Sequence, residues 1–111
     1  MTTTLQLIEA AVREINNGDE DSFGTLIVQH AEDRWLQYAP GAINAAYPFS
    51  DAPERRLVAL PFDEMIEWTP KNFLTIELNR PPEELAAWID GYFKEVLGCD
   101  PGHQLRWGRE Q

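Results

Sequence analysis

The chain has 111 residues and carries nine Lys and Arg against nineteen Asp and Glu, a net charge of −10. That length supports a single domain, residues 1–111, with one small two-layer core, and 43% hydrophobic with 11% aromatic residues marks a globular chain, not a disordered one. The acidity excludes a basic stripe for phosphate contacts and attraction to an anionic membrane surface, so neither nucleic acid nor a membrane is expected as a partner, whereas a basic partner is compatible with it.

The first element is a helix over about residues 4–17. Thr3 and Gln6 stand at capping-box spacing, Leu5, Ile8, Val12 and Ile15 recur at helical spacing, and Asn16-Asn17-Gly18 is a stop signal. An acidic loop, Asp19-Glu20-Asp21-Ser22, follows. Residues 23–30 read as a strand centred on Leu26-Ile27-Val28, and residues 34–39 as a second, joined by a turn at Ala31-Glu32-Asp33. A Glu32-Asp33 turn sets His30 against Trp35, Val28 against Gln37 and Leu26 against Ala39, with Ile27, Leu36 and Tyr38 on the opposite face. Both faces of this hairpin are then partly apolar, and the one not under the helices needs a neighbour, a partner or a ligand. Pro40-Gly41 breaks the second strand, and Ala42–Tyr47 reads as a third. Asp51-Ala52-Pro53-Glu54 is a helix start, and Arg55-Arg56-Leu57-Val58-Ala59-Leu60 reads as either a short helix or a strand before Pro61. Residues 73–78 alternate cleanly as a further strand. The last helix spans residues 81–97: Asn79 or Arg80 as cap, two prolines in the first turn, Glu83 and Glu84 at the positive end of the dipole, a wide apolar face and Gly98 as the stop. Gly91 inside it points to close packing. Residues 99–111 read as an extended tail with Trp107 as an anchor.

Periodicity therefore predicts an α+β fold, a mainly antiparallel sheet of about four strands with N- and C-terminal helices packed on it. Ile8, Val12, Ile15, Leu74, Ile76, Leu85, Ile89, Phe93 and Val96 are the expected core.

No catalytic constellation is visible. Cys99, Asp100 and His103 form a superficial Cys-His-Asp set, but adjacency in sequence is not triad geometry, and a zinc site lacks a second Cys/His pair. Glu83-Glu84 is helix-start chemistry and Glu32-Asp33 a turn. Neither a Walker pattern nor a dinucleotide fingerprint occurs. The expectation is no enzyme, no metal and no cofactor. The single cysteine excludes an internal disulfide, and the absence of a basic-then-apolar leader or a long apolar stretch gives a cytoplasmic location as the expectation. Four tryptophans, Trp35, Trp68, Trp88 and Trp107, are too many for so small a core, so at least one belongs at a rim or contact surface.

The order of these elements, with Leu26-Ile27-Val28, Arg34-Trp35-Leu36-Gln37-Tyr38-Ala39-Pro40, Trp68-Thr69-Pro70-Lys71-Asn72-Phe73, Glu84-Leu85-Ala86-Ala87 and Glu95-Val96-Leu97-Gly98, resembles the TY-Chap group, bacterial peptide-binding domains similar to type III secretion chaperones. The resemblance runs from about residue 5 to residue 105, with residues 42–61 departing most. It implies helices packed on a sheet, no cofactor, no catalysis, and binding of an extended client protein or peptide, often as a homodimer. Trp35, Tyr38, Trp68 and Phe73 are the candidate protein-binding residues. The competing expectation is an acidic immunity or inhibitor protein that blocks a basic enzyme such as a nuclease.

Overall fold

The computed structural model describes residues 3–18, 22–29, 31–99 and 104–110. Helix α1 (Thr4–Asn16) begins at the expected capping box: the Gln6 N–H donates to Thr3 Oγ1 at 3.1 Å and the Thr3 N–H donates to Gln6 Oε1 at 2.9 Å. Its apolar stripe buries Ile8, Ala11, Val12 and Ile15. Strands β1 (Phe23–Val28), β2 (Ala31–Ala39) and β3 (Ala42–Tyr47) follow as a meander. The stretch that read as helix or strand opens as a one-turn helix, α2 (Pro53–Arg56), and then turns. Strands β4 (Glu64–Thr69) and β5 (Asn72–Glu77) form a hairpin. Helix α3 (Pro82–Gly91) runs on into a π-helical segment, Tyr92–Val96, and β6 (Leu105–Glu110) ends the described chain.

The fold is α+β, with one six-stranded antiparallel sheet in the order β4-β5-β3-β2-β1-β6. Six strands replace the expected four or so, and the two additions, β4 and β6, are the two edges. Edge strands are kept from pairing with other chains by charge and irregularity. The sequences Glu-Met-Ile-Glu-Trp-Thr and Leu-Arg-Trp-Gly-Arg-Glu accordingly lack the clean alternation that a buried strand shows. The segment expected as an extended tail thus supplies β6, paired along β1 from Phe23–Glu110 to Val28–Leu105.

The β1–β2 register also differs from expectation. Ala31 already belongs to β2 and faces Val28, while Ile27 faces Trp35 and Leu26 faces Leu36. Residues 32–34 bulge between those pairs. Leu36 and Tyr38 therefore share a face with Leu26 and Val28, and Trp35 and Gln37 share the other with Ile27 and Thr25.

All the helices lie on the first of these faces. Leu26, Leu36, Tyr38, Ile43, Ala45, Leu74 and Ile76 are buried there against α1 and α3, and the nine expected core residues are all at most 3% exposed. Tyrosine hydroxyls pin this layer: Tyr38 donates to Asn16 Oδ1 (2.6 Å), Tyr47 to the Asp51 carbonyl (2.6 Å) and Tyr92 to the Ala46 carbonyl (2.7 Å). The Trp88 indole stacks on Tyr92 and donates to the Pro61 carbonyl (3.0 Å). Gly91 has the packing reason its position suggested, since a Cβ there would stand 2.9 Å from Leu60 Cδ2. Gly98, at φ +70°, ends the π-helical segment, and the next N–H, of Cys99, donates back to the Phe93 carbonyl (2.9 Å).

Asp63 joins two loops. Its carboxylate accepts from the Asn79 N–H and from Arg80 Nη1, both at 2.8 Å, and the guanidinium first, then the backbone amide, hold its pKa below the ordinary 3.8. A depressed carboxyl stabilises the fold above its unfolded pKa, and that contribution is lost as pH falls through the folded value. The Asp63→Asn variant is therefore expected to show a flatter loss of thermal stability below pH ~4 than the parent chain. A melting series from pH 5 to pH 2 checks this, and identical acid limbs would exclude the linkage.

Candidate functional site

Among the described residues no helix lies on the second face of the sheet, and strand register arranges its side chains in rows that cross the strands. The middle row is polar. Thr25 opposes Gln37, Gln37 opposes Asn44, and Asn44 opposes Thr75. These side chains are bonded to one another: Thr75 Oγ1 donates to Asn44 Oδ1 (2.9 Å), Asn44 Nδ2 donates to Gln37 Oε1 (3.1 Å), and Gln37 Nε2 approaches Thr25 Oγ1 at 3.5 Å. The chain of bonds fixes the amide orientations and leaves a second hydrogen on each amide nitrogen unused by it.

On one side of this row runs an apolar one. Ile27 opposes Trp35, Trp35 comes beside Ala46, and Ala46 opposes Phe73. Ala46 is 4% exposed while Ile27, Trp35 and Phe73 are half-buried, so two aromatics stand up on either side of a small residue. On the other side Phe23 comes beside Ala39, Ala39 opposes Ala42, Ala42 opposes Glu77 and Glu77 opposes Glu64. The small residues lower the surface here into a depression of about 200 Å³, lined by Phe23, Gln37, Ala39, Ala42, Asn44 and Thr75 among others. Gln37 also lines a second, larger hollow of about 550 Å³ toward β6, over Thr25, Ile27, Arg106 and Gly108. The two hollows make a trough along the polar row. The first is smaller than the roughly 300 Å³ at which small-molecule sites begin, and is on the scale of one inserted side chain.

Of the four candidate residues, the structure brings Trp35 and Phe73 together on this face. Tyr38 points the other way and is 3% exposed, bonded to Asn16. Burial comes first in raising its pKa, partly offset by that hydrogen bond. Trp68 opposes Leu74, so it too lies on the helix side, at the edge, in edge-to-face contact with Tyr47 at 6.1 Å. Gln37, Asn44, Thr75 and the paired alanines 39 and 42 were not singled out by sequence. Their signal was the period-two placement of Trp35-Gln37-Ala39 and Ala42-Asn44-Ala46 in successive strands.

The other candidate chemistry does not assemble among the described residues. Cys99 is buried, with Arg34 Nη1 3.9 Å from its sulfur, while His30, Asp100, His103 and the acidic residues 19–21 lie outside the described residues. No group of three His, Cys, Asp or Glu is placed to hold a metal ion, and no helix is long and apolar enough to cross a membrane, among the described residues. No family model, curated protein or solved structure matches the chain.

Proposed function

We propose that this chain is a non-catalytic protein-binding module that receives an extended segment of a client protein or peptide on its uncovered sheet face. The observation that carries the reading is that face itself: six strands, no covering helix among the described residues, and Ile27, Trp35 and Phe73 raised beside a trough floored by bonded amides. The trough crosses about five strands at roughly 4.8 Å each, the length of an extended segment of about seven residues. Aromatic walls supply area at low entropic cost, and amide side chains supply hydrogen bonds to a peptide backbone without demanding one sequence. The chaperone-like resemblance and the acidic composition support the same reading, which needs neither metal nor cofactor.

Selection from a random peptide library on the immobilised protein tests it. Selected peptides are expected to bind the parent chain and to lose roughly thirtyfold or more on Trp35→Ala, the scale of a hot-spot aromatic worth about 2 kcal/mol. The Cys99→Ala variant is expected to keep full binding. Peptides that bind equally well to Trp35→Ala would move the site off this face.

An inhibitor of a basic enzyme is the second reading. Glu64, Glu67 and Glu77 favour it, since all three are exposed at the β4–β5 end of the same face. Tight capture of a folded basic nuclease, insensitive to Trp35→Ala, would select it.

A further inference from the structure

We infer that the segment received on this face carries an apolar side chain and, two residues away, a lysine or arginine. The inference rests on the client-binding reading and adds the chemistry of the client. Ala42 is the neighbour of Glu77 in its row, and Glu77 is directly opposed by Glu64. Like charges directly opposed across two strands destabilise a sheet. Neither carboxylate, nor Glu67 beside them, has a hydrogen bond or ion pair with any described residue, whereas Asp51, Asp63 and Asp90 each hold a cation. The β4–β5 end of the face thus presents exposed, unpaired carboxylates side by side to a cation from outside. The depression over Ala39 and Ala42 stands immediately beside the pair, open and sized for one side chain.

Spacing then sets the pattern. From the middle of the Ala39–Ala42 pair to the middle of the Glu77–Glu64 pair is two strand intervals, about 10 Å. In an extended segment, residues i and i+2 point the same way about 6.7 Å apart, and a long Lys or Arg stem covers the remainder. At the other end of the trough Arg106 lies 3.6 Å from Glu32 and adds little net charge, so the preference for a cation belongs to the β4–β5 end alone.

Three nine-residue peptides, identical in a Ser/Gly background except for Leu-Ser-Arg, Leu-Ser-Glu or Ser-Ser-Arg at the centre, are titrated by fluorescence polarisation at low salt. Leu-Ser-Arg is expected to bind at least tenfold tighter than either of the others. The double variant Glu64→Gln/Glu77→Gln is expected to cut the Arg-over-Glu preference below threefold while keeping the Leu-over-Ser preference. Ala42→Leu, which fills the depression, is expected to do the reverse. An Arg preference unchanged by the double Gln variant would reflect only the overall charge of −10 and overturn the inference, as would absence of any preference or of any binding by these peptides. Library peptides that depend on Trp35 yet lack the Leu-x-Arg pattern would overturn the inference and leave the client-binding reading standing.

Discussion

Replacing Phe93 with Ala is expected to remove about 3–5 kcal/mol of stability, and Ile89→Ala about 2–5 kcal/mol. Both side chains are 0% exposed, at the interface between α3, its π-helical extension and the sheet. The cost is expected toward the upper end for Phe93 because its surroundings are pinned. The adjacent Tyr92 hydroxyl is bonded to the Ala46 carbonyl, and the Phe93 carbonyl accepts from Cys99, so the segment has little freedom to collapse into the cavity. Domains of this size have roughly 5–15 kcal/mol in total, so the loss is a large share. In urea the midpoint is expected to drop at unchanged slope. An unchanged midpoint would mean that the helical face is misassigned.

The second large effect is at alkaline pH. Burial raises the pKa of Tyr38, Tyr47 and Tyr92, most of all Tyr92, which is pushed far above the ordinary value near 10 by burial first and then by Tyr47. In the unfolded chain these phenols ionise near pH 10, while the folded chain keeps them protonated. The stability linked to them is therefore complete below pH 10 and falls as pH rises above it, because the unfolded state releases protons that the native state retains. For Tyr92 the slope approaches about 1.4 kcal/mol per pH unit. Tyr92→Phe is expected to be less stable at neutral pH by about 1–3 kcal/mol, since the buried Ala46 carbonyl loses its donor, yet to show a shallower alkaline decline. Urea midpoints measured from pH 8 to pH 11.5 test both parts, and an equally steep decline in Tyr92→Phe would assign the linkage to other groups.

Elements that carry their own punctuation were legible in the sequence. Thr3 and Gln6 announce α1, paired prolines and glutamates announce α3, and Asn72-Phe73-Leu74-Thr75-Ile76-Glu77 alternates because one side of β5 is core and the other is open. What escaped was long-range geometry. Whether Trp35 or Tyr38 faces the helices depends on which side of β2 the helices take, and no local signal encodes that. The bulge at residues 32–34 has no glycine to mark it, so no local signal encodes the hairpin register. The polar ladder of the open face was hidden for a related reason: Gln37, Asn44 and Thr75 are unremarkable singly and acquire meaning only when three strands are aligned.

The pairing of β6 with β1 has a consequence for how the chain reaches this state. During synthesis β1 is among the first strands made and β6 the last of those described, so the outer edge of β1 stays unpaired while every other strand finds its neighbour. Closing that edge joins residues from opposite ends of the described chain, a high-contact-order event that comes late and slowly. Until it happens the nascent chain displays a row of unsatisfied amides and carbonyls along Phe23–Val28, and this is where encounters with other nascent chains would begin.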